Sequence, residues 1–412
     1  MVPNRKNTRG QLIFLVILTS IRGLTRMDVL TLPNKGKRNQ EEKLVQPGNH
    51  TNIPPSEMRI GPDGETDYVH DPDFVKLSPR SFQIEENAAE LCLPPGEGSE
   101  LAEGYPNLKN IRNHLERSTE RRNVKLFCAV YTHSGGVNNT KAILETWGGR
   151  CDGLLFASSE SNKKTGHMHL PSNSRWGFGY KGMLQRTRTI LAYLYDNFLE
   201  DFDYFHLCGD DVYMIVENMK EFLASTKVYN WENVQGNLLF AGFWVHWGHM
   251  PEGYFYLGGG SGYTMSRKAL KAFVEGPLQT CQTHREGSAE DVFFTECARE
   301  LNTEFIDTRD SLGAHRYHQM PIGRHSSFPG KYKWGFSMHM IKQSLLHMER
   351  IFSFPVVYND AYISNSSVAF HKHYSPNELR RYELLLYRNG TAECGDIFKT
   401  RNQSLPTGWY GY

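Results

Sequence analysis

The stretch VKLFCAVYTHSGGVNNTKAILETWGGRCDGLLFASSE, Val124–Glu160, decides the fold class of this chain. VKLFCAVYT is a short apolar run rich in β-forming residues, with charge before it and HSGG after it, as expected of a buried strand closed by a turn. NNTKAILETWGGR has helical character and stops at Gly148-Gly149. CDGLLFASSE is a second buried strand. Strand, helix and strand in so short a distance make a βαβ unit, which implies a parallel sheet with a right-handed crossover.

Toward the C-terminus the spacing predicts a long helix from about Lys181 to Leu199, with Met183, Ile190, Leu191, Leu194 and Phe198 on one face. A third strand, DYFHLC, follows and runs into Gly209-Asp210-Asp211. Open α/β sheets bind ligands beyond the carboxyl ends of their strands, so the two acids stand at the edge where a ligand would sit. Adjacent carboxylates resist ionising together unless a cation accompanies them. Hard divalent cations take carboxylate and phosphate oxygens, so Asp210 and Asp211 suit a Mg²⁺ or Mn²⁺ that bridges the diphosphate of a nucleotide-activated donor. The competing use of the same acids is to cap a helix beginning near Val212–Ile215. Further on, LLFAGFWVHWG and GYFYLGGGSGYTMS read as strands around an aromatic hairpin, SRKALKAFVEG as a helix opened by Ser266, and AEDVFFTECAREL as another helix. Asn107–Arg121 is a candidate lead-in helix on the N-terminal side.

The N-terminus has a different character. Arg5, Lys6 and Arg9 precede an apolar segment, Leu12–Ile21, which Arg22 ends. A basic flank followed by an apolar segment reads as an uncleaved type II signal anchor, short of the roughly 20 residues of a full span. Pro33 to about Arg80 is rich in Pro, Gly, Asn, Lys and Glu without periodicity and reads as a stem. The expected organisation is therefore a tail and anchor over 1–32, a stem and lead-in over 33–105, and a catalytic domain over 106–412.

The 412 residues carry 46 Lys plus Arg against 45 Asp plus Glu, so no global charge recommends a nucleic-acid partner. None of the seven cysteines forms a CxxC pair, which argues against a zinc site. In a secretory setting Cys128 with Cys151 and Cys281 with Cys297 are the expected disulfides, each across a short interval. Sequons at Asn49, Asn138, Asn365, Asn389 and Asn402 would suit a glycosylated lumenal protein.

In order, LFCAVYT, ETWGGRCDGLLFASSE, NFLEDFDYFHLCGDDVYMIVENM, YLGGGSGYTMSRKAL, EDVFFTECAREL, RDSLG and VAFHKHY resemble the core 1 β1,3-galactosyltransferase family, a branch of the Fringe-like β1,3-glycosyltransferases. The match runs from about Val124 to Tyr387. The resemblance implies a GT-A-type, Rossmann-like α/β domain with a mixed, mainly parallel central sheet, in a lumenal, single-pass Golgi membrane enzyme. It implies an inverting transfer of galactose from UDP-galactose to the 3-hydroxyl of GalNAc on a glycoprotein or glycopeptide, with Mn²⁺ as cofactor; a homodimer is an assembly it allows.

Residue by residue, the resemblance makes Asp211 and His371 the Mn²⁺ ligands and Asp291 the catalytic base. Asp210 and Arg186 are the donor-binding candidates, and Gly259, Gly260, Tyr263 and Glu290 form the acceptor-side group. From the residues alone, Glu290 and Asp291 also read as first-turn acids of a helix, and Gly258–Gly262 as a tight turn. Two departures stand out. Gly209 occupies the place of the family's first acid, and ISNSS replaces a Cys-Cys pair before the Phe370-His371 run. Two other readings accompany the enzyme: a Fringe-like transfer between different sugars, and a non-catalytic folding partner that keeps the fold. The retained Asp210, Asp211, Asp291 and His371 favour the enzyme.

Overall fold

The computed structural model describes residues 100–118, 123–170, 179–246, 254–287, 289–326, 336–352, 357–373 and 375–387. The anchor segment, nearly all of the stem, Cys92, Cys394 and the sequons at Asn49, Asn389 and Asn402 lie outside these residues. Among the described residues no helix is long and apolar enough to cross a membrane.

The βαβ unit forms where the apolar pattern placed it. Strand β1 (Leu126–Tyr131) leads through helix α2 (Val137–Glu145) to β2 (Gly153–Ser158), and the two strands pair in parallel with Cys128 opposite Leu154. Strand β3 (His167–His169) adds in parallel to β2. Helix α3 (Met183–Phe198) then carries the chain to β4 (Tyr204–Gly209), which pairs in parallel with the other edge of β1. Strand β9 (Tyr263–Ser266) joins β4 antiparallel and β6 (Phe240–Ala241) joins β9 antiparallel, giving the order β3-β2-β1-β4-β9-β6. Only β9 opposes the other five, so the sheet is mixed and mainly parallel, as a Rossmann-like fold requires.

Both faces of this sheet are covered, which explains why its strands are apolar without a break. Leu126, Cys128 and Val130 point into one core with Ala142 and Ile143 of α2; Phe127 and Ala129 point into the other with Ile190, Leu191 and Leu194 of α3. Phe127 is ringed by Phe198, Phe202 and Phe205. Truncating such a side chain costs about 3–5 kcal/mol. The expected disulfides are both present: Cys128–Cys151 ties β1 to the entry of β2, and Cys281–Cys297 ties a short turn to helix α6 (Glu290–Arg299). Cys208 is a free, buried thiol.

Three expectations are corrected. The lead-in helix, α1, runs Glu100–Arg117 rather than Asn107–Arg121, and it passes through Pro106. Its packing overrides the proline: Leu108 and Ile111 are fully buried, and Gly104 lies so close to helix α7 (Ile322–Ser326) that a Cβ there would stand 2.2 Å from Ile322. The helix before Gly148-Gly149 ends at Glu145, and Trp147–Arg150 tightens into a 3₁₀ turn that buries Trp147. Neither Asp210 nor Asp211 caps a helix. The next helix, Val216–Leu223, starts later and its N-cap, Ile215, makes no side-chain bond.

A second, three-stranded sheet lies past the acids. Strand β5 (Tyr213–Met214) pairs antiparallel with β11 (Ala369–Phe370), and β11 pairs in parallel with β10 (Tyr317–His318). The aromatic hairpin is β7 (Phe243–Val245) against β8 (Tyr256–Gly258).

Candidate active site

In the large sheet β1 has β2 on one side and β4 on the other, so the direction of strand addition reverses between β1 and β4. The crevice beyond the carboxyl ends of those two strands is where such sheets hold ligands. Thr132 follows β1 and Asp210 follows β4, and the Thr132 hydroxyl donates to Asp210 Oδ2 at 2.5 Å across that crevice. Arg186, buried on α3, donates from Nη1 to the Thr132 carbonyl at 3.4 Å. Arg186 and Asp210 thus share Thr132. Burial raises the Asp210 pKa, and the Asp211 charge adds to it, while the Thr132 hydrogen bond opposes both.

Asp211 meets His371 even though 160 positions separate them: Nε2 of the ring lies 3.2 Å from Oδ2. The small sheet explains the meeting. Phe370 pairs with Tyr213, so the residues just beyond β11 turn back beside those just before β5, and the His373 N–H donates to the Asp211 carbonyl at 2.9 Å. From behind, the buried Trp147 donates its indole N–H to the Val212 carbonyl at 3.0 Å. His371 Nδ1 is 3.2 Å from the Gln319 carbonyl. A carbonyl only accepts, so Nδ1 carries the proton and Nε2 faces the carboxylate. Burial pushes Asp211 upward, but His371 beside it outweighs that and leaves its pKa below the usual carboxylate value.

Nε2 and the Asp211 carboxylate face each other, so a metal ion between them would take one lone pair from each, with Nε2 free of a proton. The donor set fits a hard divalent ion, because neighbouring ligands on an octahedral ion with bonds of about 2.1 Å stand about 3 Å apart. Among the described residues no group of three His, Cys, Asp or Glu side chains gathers as a metal site. Asp211 and His371 could hold such an ion together with substrate phosphates and water.

The second acid pair opens α6. Glu290 is buried; its Oε2 accepts from the Tyr263 hydroxyl at 2.7 Å, and its Oε1 has no hydrogen-bond partner. Burial, with the Asp291 charge, pushes its pKa up to about 8. The buried Thr187 hydroxyl is the other polar group that eases this, although no hydrogen bond of good geometry joins the two. Asp291 is less enclosed. Its Oδ2 accepts the Gly259 N–H at 3.2 Å and its Oδ1 the Val292 N–H at 3.0 Å. Burial raises the Asp291 pKa, and these backbone bonds oppose the rise.

The glycine turn joins the two pairs. A Cβ on Gly260 would lie 2.3 Å from His371 Nδ1 and 2.2 Å from Gln319 Oε1, and one on Gly259 would lie 2.6 Å from the Tyr263 hydroxyl. Only glycines let this backbone run between Asp291 and the His371 ring. Gly209 has its own constraint: a Cβ there would meet Asp211 Oδ1 at 2.8 Å and the Tyr131 ring at 3.1 Å. A side chain at 209 would therefore press on the Asp211 carboxylate and the Tyr131 ring.

A chain of contacts links the nine residues singled out in the sequence: Arg186 and Asp210 through Thr132, its neighbour Asp211 to His371, His371 to Gly260, Gly259 to Asp291, and Glu290 to Tyr263. Sequence reasoning missed Thr132, Tyr131, Thr187 and Gln319. Thr132 was within reach, because it ends a predicted strand of a parallel sheet. Gln319 carried no signal.

A comparison with protein-family models finds no match. Among curated proteins, the glycoprotein-N-acetylgalactosamine 3-beta-galactosyltransferase 1 of Xenopus laevis is 25% identical over 277 residues, 65% of this chain and 67% of the relative. The chain is similar to a glycosyltransferase.

Proposed function

We propose that this chain is a GT-A-type inverting glycosyltransferase that moves galactose from UDP-galactose to the 3-hydroxyl of O-linked N-acetylgalactosamine on glycoproteins. The observation that carries this reading is that the Asp211–His371 pair and Asp291 lie on two sides of one glycine turn. The Xenopus relative's name supports the sugars.

In this reading Asp291 takes the proton of the acceptor hydroxyl as that oxygen bonds to the anomeric carbon. The bond from that carbon to the UDP oxygen breaks on the opposite face, and its electron pair leaves with UDP. Glu290, neutral at physiological pH with a pKa of about 8, adds no second charge beside the base. Asp210 and Arg186, tied through Thr132, are the donor-side groups. A Mn²⁺ held by Asp211 and His371 would neutralise the diphosphate of the leaving UDP.

Gly209 favours a second reading on the donor side alone. Tyr131 and Asp211 occupy the room of the family's first acid, so a sugar other than galactose is the alternative donor. Two disulfides support an oxidising compartment, and we assign the chain to the Golgi lumen with Leu12–Ile21 as its anchor.

The test is UDP release by the purified chain with a panel of UDP-sugars and GalNAc-peptide, with Mn²⁺ and with chelator. Transfer from UDP-galactose that stops with chelator is expected. No turnover with any pair would leave the folding-partner reading. Turnover indifferent to chelator would remove the metal role of Asp211 and His371.

A further inference from the structure

Gln319 lies just past β10, where the parallel pairing of His318 with Phe370 sets it beside His371. It is half-buried and uses both its side chain and its main chain. Its side-chain Nε2 donates to the Gly258 carbonyl at 3.0 Å and reaches Ser261 Oγ at 3.2 Å. Its own carbonyl accepts from His371 Nδ1 at 3.2 Å.

The Gly258 carbonyl and the Gly259 N–H are the two ends of a single peptide group, rigid because the bond between them is planar. One end is held by Gln319, and the other donates to Asp291 Oδ2 at 3.2 Å. Gly258 is the last residue of β8, opposite Phe243 of β7, and the two hydrogen bonds hold this peptide where the strand ladder stops. Gln319 fixes the acceptor end, and so aims the N–H at the base. The same residue fixes the proton of His371 on Nδ1, which leaves Nε2 toward Asp211.

We infer that Gln319 is a positioning residue that aligns the base Asp291, through the Gly258–Gly259 peptide, with the imidazole of His371. This rests on the glycosyltransferase reading for its catalytic consequence, but the alignment itself is a property of the fold. The groups that face Asp291 are Glu290 beside it, His371 from the β11 side, Tyr180 ahead of α3, Tyr256 on β8 and Tyr263 on β9. None of them replaces the Gly259 N–H.

The test is Gln319→Met, which keeps the bulk and removes the donor, with Gln319→Glu as a second variant of the same shape that places an acceptor against the Gly258 carbonyl. Expected for Gln319→Met are a kcat lowered about 10- to 100-fold by misalignment, a nearly unchanged KM for the UDP-sugar, and an unchanged melting temperature. The acid limb of kcat/KM moves to higher pH, because Asp291 loses a bond that favours its charged form. With ¹⁵N-glycine labelling, the Gly259 amide, assigned by its loss in Gly259→Ala, moves upfield as it leaves the carboxylate. Gln319→Glu gives the same changes and stands in should the methionine variant not fold. Unchanged kcat, pH limb and Gly259 signal would overturn the inference. If the wild-type chain transfers no sugar at all, the function fails separately; the Gly259 signal then decides the alignment alone, a shift supporting it and no shift overturning it.

Discussion

Two pairs of adjacent acids flank the glycine turn, and the molecule treats them in opposite ways. Asp210-Asp211 ends a strand and opens on the crevice; Glu290-Asp291 begins a helix with its first member buried. In the first pair the outcome turns on the neighbouring imidazole: His371 draws Asp211 below its usual pKa while burial lifts Asp210. In the second no cationic side chain touches the pair among the described residues, burial lifts both, and two backbone N–H groups moderate Asp291 alone. An acid paired with an imidazole can share a metal ion with it. An acid kept basic by burial, yet steadied by backbone donors, is prepared to take a proton.

Substitutions can break this contrast. Asp291→Asn removes the proposed proton acceptor and keeps the shape, and should lower transfer by about 100- to 10,000-fold with donor binding intact. UDP release and donor binding measured on the same preparation check it, and a retained rate would move the base elsewhere. Asp211→Ala should weaken Mn²⁺ binding in calorimetry and cost about 100-fold in rate. Asp210→Asn, whose amide oxygen can still accept from Thr132, should cost only about 10-fold. Equal losses at the two positions would erase the distinction drawn within that pair.

Gly260→Ala sharpens the link between the pairs. Its methyl would press on His371 and Gln319, so about a 10-fold loss of rate is expected, with weaker Mn²⁺ binding, while Asp291 keeps its Gly259 bond. Glu290→Gln acts on stability and least on rate. Because the folded-state pKa of Glu290 is about 8 against 4.5 for the free group, the folded protein binds the extra proton between those values. Wild-type stability therefore falls as pH rises through that window, and the amide, which does not titrate, removes the slope. The variant should gain on the wild type by up to about 1.4 kcal/mol per pH unit. Urea midpoints at pH 5.5 and 7.5 read the difference, and a gap that does not widen with pH would show Glu290 already ionised.

Much of the large sheet was legible because its strands are long and buried on both faces, which leaves unbroken apolar runs such as Leu126–Tyr131 and Gly153–Ser158. Ser266 was equally plain, since its side chain accepts the Ala269 N–H at the start of a helix. The small sheet was not legible. Its strands are two residues each, too short for any period to show, and their pairing brings together residues from three distant parts of the chain.

By itself, then, the sequence determined the βαβ core, the two disulfide partners and the placing of Asp210 and Asp211 at a strand end, because each follows from local pattern. Only the tertiary structure decided that His371 faces Asp211, that Gln319 grips the peptide aimed at Asp291, and that Asp211 and Tyr131 crowd Gly209. Those are contacts between segments far apart in sequence. They arise from strand register and close packing, which no local window of residues encodes.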